Sequence, residues 1–147
     1  MLSNKCKYAI RAALYLASQD SATKMTHGTE IARLLKMPVA FTVKILQELA
    51  KKDLILSSKG PKGGFYINEQ IKKLPIINIV NAIDGADAFH RCGIGLHKCS
   101  DDNPCPFHET FKAHREKFLS TLSSTTIGTF CIDFDETHFL YVQKEVV

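Results

Sequence analysis

The chain has 147 residues, of which 45% are hydrophobic and 23% charged, which is ordinary for a globular protein with its own core. Its apolar runs are short and no cleavable leader pattern follows Met1, so we expect neither a membrane span nor secretion, and a cytoplasmic location. The charge is unevenly divided, because residues 1–73 carry 13 Lys and Arg against 5 Asp and Glu, whereas residues 74–147 carry 6 against 10. A basic first half predicts a polyanion-binding domain.

Three helices are predicted at the start of the chain. Apolar residues at three- and four-residue steps predict a helix over residues 4–18, and capping groups in residues 26–29 precede a short helix over residues 30–36. Pro38 suits the first turn of a third helix that runs to about Lys52, because the N–H that proline lacks would have no partner there. The face of this helix expected to point inward consists of Thr42, Ile45, Leu46 and Leu49. Its outward face consists of Ala40, Phe41, Val43, Lys44, Gln47, Glu48 and Lys51.

A basic hairpin follows the three helices. Two strand-like runs, residues 54–58 and 64–68, flank a turn that contains Gly and Pro and carries Lys59 and Lys62. This order of elements is typical of a winged helix-turn-helix, in which the third helix enters the major groove of DNA and the hairpin, or wing, contacts the flank. Glycines let the backbone approach a phosphate, and lysines neutralise it. The candidate DNA-contacting residues are Ala40, Phe41, Val43, Lys44, Ser57, Lys59, Gly60 and Lys62.

An alternative is that this unit binds another protein and that its basic hairpin is merely solvated. The division of charge favours DNA over this alternative, because the positive excess lies in the same half of the chain as the hairpin.

The second half of the chain is predicted to hold an irregular segment between helices. Residues 74–83 are expected to form a helix or a buried segment, whereas residues 85–106 contain too much Gly, Asp and Pro for regular structure. A longer helix follows over residues 107–122, and residues 125–130 add a last turn. The stripe along the longer helix, which suits either a dimer seam or a core within one subunit, consists of Phe111, His114, Phe118 and Leu122.

Three of the five cysteines, Cys92, Cys99 and Cys105, lie in the irregular segment and are separated by six and five residues. In a chain without a secretory signal, such a group indicates a metal or redox site rather than a disulfide framework. Thiolates are soft ligands for iron–sulfur clusters, zinc or copper(I). The spacing leaves zinc and iron–sulfur open, because it matches neither a zinc knuckle nor the ferredoxin pattern. Cys6 and Cys131 stand apart and are expected to be packing residues.

Three segments resemble the Rrf-type family of bacterial transcription regulators that includes IscR and NsrR: residues 7–12 (KYAIRA), 43–49 (VKILQEL) and 56–65 (LSSKGPKGGF). The resemblance extends from residue 1 to about residue 130, and the wing and the cysteine segment are its most specific parts. It implies a homodimer that binds a roughly palindromic operator and places Lys59 in the minor groove. The best-known member of the family is more polar at the positions of Ala40, Val43 and Lys44. Its operator sequence therefore does not carry over to this chain.

The same resemblance implies that Cys92, Cys99 and Cys105 hold an iron–sulfur cluster and that His108 is the fourth ligand, as in the two-iron members. The alternative is a four-iron cluster. In the nitric-oxide-sensing members of the family, an aspartate from the first helix of the partner subunit is the fourth ligand of such a cluster. Lys7 stands at that position here, and a protonated amine cannot bind metal. A two-iron cluster is therefore favoured.

Other interpretations of these side chains stay open. Cys6 of the partner subunit could supply the fourth ligand, and His90 or His97 beside the loop could be ligands or merely solvated. His108 could simply cap the helix that begins near it. The three loop cysteines could also be free thiols that hold no cluster.

The predicted fold is mainly α, with a winged helix-turn-helix DNA-binding domain over residues 1–73. A metal-binding sensor loop and a long dimerisation helix follow over residues 74–147. No paired carboxylates, phosphate loop or nucleophile–base motif is present, so we do not expect an enzyme. The predicted function is DNA-binding transcription regulation by a homodimer, with the iron–sulfur cluster as redox sensor. The alternative is a cluster-free regulator of the same fold, controlled by thiol oxidation, a metabolite or a protein partner.

Overall fold

The computed structural model describes residues 2–19, 24–96 and 99–132, and within them the fold is mainly helical with one two-stranded sheet. In chain order the elements are α1 (Asn4–Ser18), α2 (Gly28–Leu34), α3 (Val39–Lys51), β1 (Leu56–Ser58), β2 (Gly64–Tyr66), α4 (Glu69–Lys72), α5 (Ile77–Asp84), α6 (His108–Ser124) and α7 (Ile127–Ile132). The short α4 was not predicted, because four residues are too few to show a helical period. None of the helices in these ranges has the length and apolar character needed to cross a bilayer.

Helix α1 lies at the centre of the core because its buried face consists largely of small residues. Ala9, Ala12 and Ala13 are fully buried, and α3, α5 and α7 all pack against α1. The helix begins after Ser3, whose hydroxyl oxygen accepts a hydrogen bond from the Cys6 N–H at 3.0 Å. The predicted bounds of this helix are confirmed.

Helices α2 and α3 form the helix-turn-helix. The predicted inward face of α3 is buried as a whole: Thr42, Ile45, Leu46 and Leu49. Pro38 is the N-cap of α3 rather than its first helical residue. Helix α2 begins at Gly28, two residues before its predicted start, and its N-cap lies within the predicted capping segment, residues 26–29, but without the expected side-chain hydrogen bond. The N-cap is His27, whose side chain makes no capping hydrogen bond.

The wing is a short antiparallel hairpin attached to the segment before α2. Strands β1 and β2 pair with Ser57 opposite Phe65. Thr26 donates its N–H to the Phe65 carbonyl at 3.0 Å and accepts from the Phe65 N–H at 2.9 Å, so that residue 26 extends the hairpin at its edge. The strands are shorter than predicted, because Leu54 and Ile55 are buried in the core instead of pairing across the hairpin.

Helix α6 runs along the outside of the core. Its 17 residues span about 25 Å. The side chains that it buries are His108 and Leu122, near its two ends. Phe118 is 38% exposed, and its ring lies 6.0 Å from the ring of Phe89, between centroids. The predicted stripe is therefore partly at the surface, and its role in dimerisation stays a prediction.

Gly63 allows the tight turn of the wing, since a Cβ atom there would lie 2.2 Å from the Ser58 carbonyl oxygen. We expect Gly63→Ala to lower the free energy of unfolding by about 1–3 kcal/mol, the usual cost of forcing extra volume into a packed site. Urea denaturation measures this change. The neighbouring variant Lys62→Ala removes an exposed side chain and should stay within about 0.5 kcal/mol of the parent. Equal stability of the two variants would contradict the tight turn.

Candidate DNA interface and cysteine cavity

The first half of α3 presents the predicted base-facing side chains at the surface. Ala40, Phe41 and Lys44 are exposed. Val43 is half-buried, because its side chain lies against the first residue of α2. The Phe41 ring meets the Tyr8 ring of α1 edge to face, with centroids 5.9 Å apart. Phe41 and Val43 therefore also hold α3 in place, whereas Ala40 and Lys44 are freer to meet a ligand.

A groove of about 620 Å³ separates the wing from the second half of α3. The predicted wing contacts are all exposed: Ser57, Lys59, Gly60 and Lys62. Each of them except Lys62 borders this groove. Four further polar residues line it and were not among the predicted DNA contacts: Ser58, His27, Gln47 and Lys51. For Gln47 and Lys51, the predicted outward position on α3 was the sequence feature that could have identified them as contacts. His27 faces the groove because of the non-local pairing between Thr26 and Phe65, which no sequence pattern indicates.

The three loop cysteines and His108 border one cavity of about 290 Å³ beside the start of α6. The three thiols are half-buried and form no disulfide. The Cys99 N–H donates to the His90 carbonyl at 3.2 Å, which closes the loop on itself. Gly93 packs directly on the Phe111 ring, since a Cβ atom there would lie 2.0 Å from it. The loop is therefore held against α6, and side chains far apart in sequence share one cavity.

His108 is held from both sides of its ring. The residue is 4% exposed, at the first position of α6. Its Nδ1 atom lies 3.3 Å from Cys99 Sγ, and its Nε2 atom lies 2.8 Å from Asp101 Oδ1. The same carboxylate oxygen accepts from Lys112 Nζ at 2.8 Å. The hydrogen bonds from Lys112 and then from His108 lower the pKa of Asp101, which keeps this exposed carboxyl group ionised.

The donor set around the cavity suits a metal–sulfur centre, because three thiols and one imidazole are soft and borderline ligands. The three sulfurs, all in the part of the chain that the structure describes, do not all lie within 4.8 Å of one another. Among the described residues, a group of three whose ligand atoms all lie within 4.8 Å of one another consists of Asp101, His108 and Glu109. Both of these carboxylates are exposed, and exposed acidic groups do not by themselves define a site. The candidate soft ligands at this cavity are therefore the three thiols and His108.

The remaining candidates lie elsewhere. Cys6 and Cys131 are buried in the core, as predicted for packing residues. Burial, followed by the nearby Asp84 carboxylate, raises the pKa of Cys6 to about 12. His90 is exposed, and His97 lies outside the described residues.

Hydrogen bonds connect the cysteine loop to α1. Arg91 donates to the Asp84 carbonyl oxygen at 3.2 Å. The Asp84 carboxylate accepts from the Ser3 N–H at 2.8 Å and from the Ser3 hydroxyl, at the N-cap of α1. Two residues further along, Lys5 pairs with Glu48 of α3 at 2.6 Å. The cysteine loop and α3 are thus both attached to the beginning of α1.

A helix-turn-helix with an exposed outer helix and a basic wing defines a DNA-binding transcriptional regulator. More particularly, the chain belongs to the Rrf2 family of iron-dependent transcriptional regulators, whose family model matches residues 2–133. The predicted family is confirmed. The family and the relatives below are regulators of transcription and not enzymes, as expected.

Known proteins similar to this chain come from several bacteria. A protein of Aquifex aeolicus named as an HTH-type transcriptional regulator is 32% identical over 147 residues, covering 98% of this chain and 99% of the relative. The regulator IscR of Yersinia pseudotuberculosis is 25% identical over 129 residues, covering 86% of this chain and 76% of the relative. The solved structure of CymR, the global cysteine regulator of B. subtilis, gives a TM-score of 0.72 at 18% identity, covering 92% of this chain and 98% of CymR. The predicted mainly α, winged-helix fold is confirmed by this likeness.

The raised pKa of Cys6 predicts that this thiol is inert in the folded apoprotein. With a pKa three units above the ordinary value of 9.0, its thiolate fraction at pH 8 should be roughly a thousandfold lower than that of an ordinary cysteine. Alkylation at pH 8 followed by peptide mass spectrometry should therefore modify Cys92 and Cys105 well before Cys6. Because the folded state keeps Cys6 protonated, its contribution to stability is present below pH 9 and is lost between pH 9 and about 12. Equal labelling rates in the native protein would show the assignment of Cys6 to be wrong.

Proposed function

We propose that this protein is a homodimeric regulator that binds duplex DNA through α3 and the wing, under the control of an iron–sulfur cluster. Cys92, Cys99, Cys105 and His108 would hold the cluster, with two irons favoured over four. The observation that carries this proposal is that all four side chains, spread over 17 residues of sequence, border one cavity of about 290 Å³. When bound, such a cluster supplies a redox centre that responds to oxidants and to iron supply.

The DNA-binding part of the proposal rests on the exposed side chains of α3 and on the lysines around the wing groove. Lys51 of α3 and Lys59 of the wing both line this groove, and Lys44 is exposed near the start of α3. Lysines in such a groove neutralise phosphates and release counterions. Residues 1–73 would form the DNA-binding domain, and residues 74–147 the sensor and dimerisation region.

Dimerisation through α6 is supported by the apolar side chains that this helix leaves at the surface. Phe107, just before α6, is 63% exposed, and Phe118 is 38% exposed. The helix buries few side chains of its own, so its outward face is open to a second copy. A dimer also supplies the contacts that a specific operator requires, since one small head contacts too few bases.

We infer that the state of the loop reaches the DNA-facing helix through the beginning of α1. Arg91 and Asp84 tie the loop to Ser3, and Lys5 of the same helical turn pairs with Glu48 of α3. A loop that closes around the cluster would restrain α1, and with it α3. The coupling equals the difference in free energy of DNA binding between the loaded and the apo protein.

A cluster-free regulator controlled by thiol oxidation is the second candidate. The contact between Cys99 Sγ and His108 Nδ1 favours it, because a neighbouring imidazole can accept a thiol proton and thereby generate the reactive thiolate.

We expect Lys59→Ala to weaken binding to a duplex selected from random-sequence DNA. Loss of one phosphate-neutralising charge should reduce the slope of log affinity against log salt by about 1. Fluorescence anisotropy between low and moderate salt measures this slope. The matched control is Lys73→Ala, which removes the same charge from a different surface, beside α4 and α7. An unchanged slope in Lys59→Ala would count against the wing as a DNA contact.

The cluster itself is tested by anaerobic reconstitution with ferrous iron and sulfide. The parent protein should bind iron and acid-labile sulfide and gain visible absorption, and Cys99→Ala should lose both because a ligand is missing. Cys131→Ala removes a buried thiol outside the loop and should keep the cluster. If the parent protein stays colourless and free of sulfide after reconstitution, the cluster is refuted and the thiol-based candidate remains.

A further inference from the structure

Asp101 and Lys112 form a pair beside His108 that the ligand set does not include. Asp101 Oδ1 lies 2.8 Å from His108 Nε2 and 2.8 Å from Lys112 Nζ. Lys112 is four residues after His108, so the two side chains stand on the same face of α6, one turn apart. The carboxylate is thus held between two donors of one helix and reaches His108 from the loop.

The contacts of the two ring nitrogens of His108 are consistent with a single tautomer. An ionised carboxylate has acceptor atoms only, so the hydrogen bond from the Nε2 side requires a proton on His108 Nε2. In a neutral imidazole, Nδ1 then carries the lone pair. That atom lies 3.3 Å from Cys99 Sγ, on the side of the ring that borders the cysteine cavity.

We propose that Asp101, fixed by Lys112, is a positioning residue that holds His108 with its proton on Nε2 and its Nδ1 lone pair toward the cysteine cavity. The proposal rests on the function proposed above, because its consequence is that His108 is presented as a metal ligand. Ligating histidines commonly donate their other N–H to a carboxylate, which fixes the ring and makes the ligating nitrogen a better electron donor. Asp101 is therefore expected to contribute both to retention of a cluster and to its reduction potential.

The tautomer is tested first in the apoprotein, without any cluster. Long-range nitrogen–proton NMR spectra distinguish the two tautomers, and the His108 signals are those absent from the spectrum of His108→Gln. The parent protein should show the proton on Nε2. Asp101→Ala should give a mixture of tautomers, whereas Asp101→Asn should restore the parent form, because Lys112 keeps its amide oxygen turned toward the two donors. The carboxylate is exposed, so these variants should fold.

The loaded protein provides the second readout. After reconstitution with ferrous iron and sulfide, Asp101→Ala should lose its iron to a chelator roughly 10–100-fold more readily, the usual effect of removing such a partner. Its reduction potential should rise, and that of Asp101→Asn should rise as well, because both variants remove the negative charge beside the ligand. Asp102→Ala is the matched control, since it removes the same charge from the next, exposed position of the loop.

The outcomes separate this proposal from the function on which it rests. An unchanged His108 tautomer in Asp101→Ala would overturn the positioning role, and so would equal effects of Asp101→Ala and Asp102→Ala. If Glu109→Ala lost iron as readily as Asp101→Ala, the carboxylates would be direct ligands, which also overturns it. If the parent protein took up no iron and sulfide, the cluster would be refuted, and the apoprotein spectra would still decide whether Asp101 positions His108.

Discussion

Close packing around α1 is the constraint on which the rest of the structure depends. Its buried face includes the methyl side chains of Ala9, Ala12 and Ala13, and three other helices pack against it. One of these is α3, whose outward face carries the candidate DNA contacts, and another is α5, which leads into the cysteine loop. Because protein interiors are densely packed, the beginning of α1 cannot move without disturbing both neighbours. The cysteine loop and α3 therefore share one support, which is the physical basis of the coupling proposed above.

The junction between the loop and α6 depends on a different requirement: the buried imidazole ring of His108 needs hydrogen-bond partners for its nitrogens. His108 is almost fully buried, and a buried polar side chain is costly unless its polar atoms have partners. The loop supplies one partner for each nitrogen, Cys99 on one side and Asp101 on the other. The same contacts that stabilise the loop therefore also arrange its candidate ligand, so the fold and the chemistry of this site are not separate.

Much of the fold was predictable because its signals are local. The apolar period of residues 4–18 gave the correct bounds of α1, and the stripe on α3 was buried as expected. The errors occurred where a non-local contact prevailed over a local preference. Thr26 looks like a capping residue, but its backbone pairs with Phe65, 39 residues away, and His27 takes the N-cap. Leu54 and Ile55 have strand-like sequence, but burial in the core separates them from the hairpin.

The sequence by itself determined the kind of protein and the side chains available to it: a basic winged helix-turn-helix, an acidic second half, and three cysteines with a histidine at defined intervals. These properties follow from periodicity, charge and residue chemistry, which do not require knowledge of distant contacts. Only the tertiary structure decided that the four candidate ligands border one cavity, that Asp101 and Lys112 stand behind His108, and that Asp84 reaches Ser3 across 81 residues. Such contacts depend on how loops and helices pack against one another, and packing is a property of the whole chain.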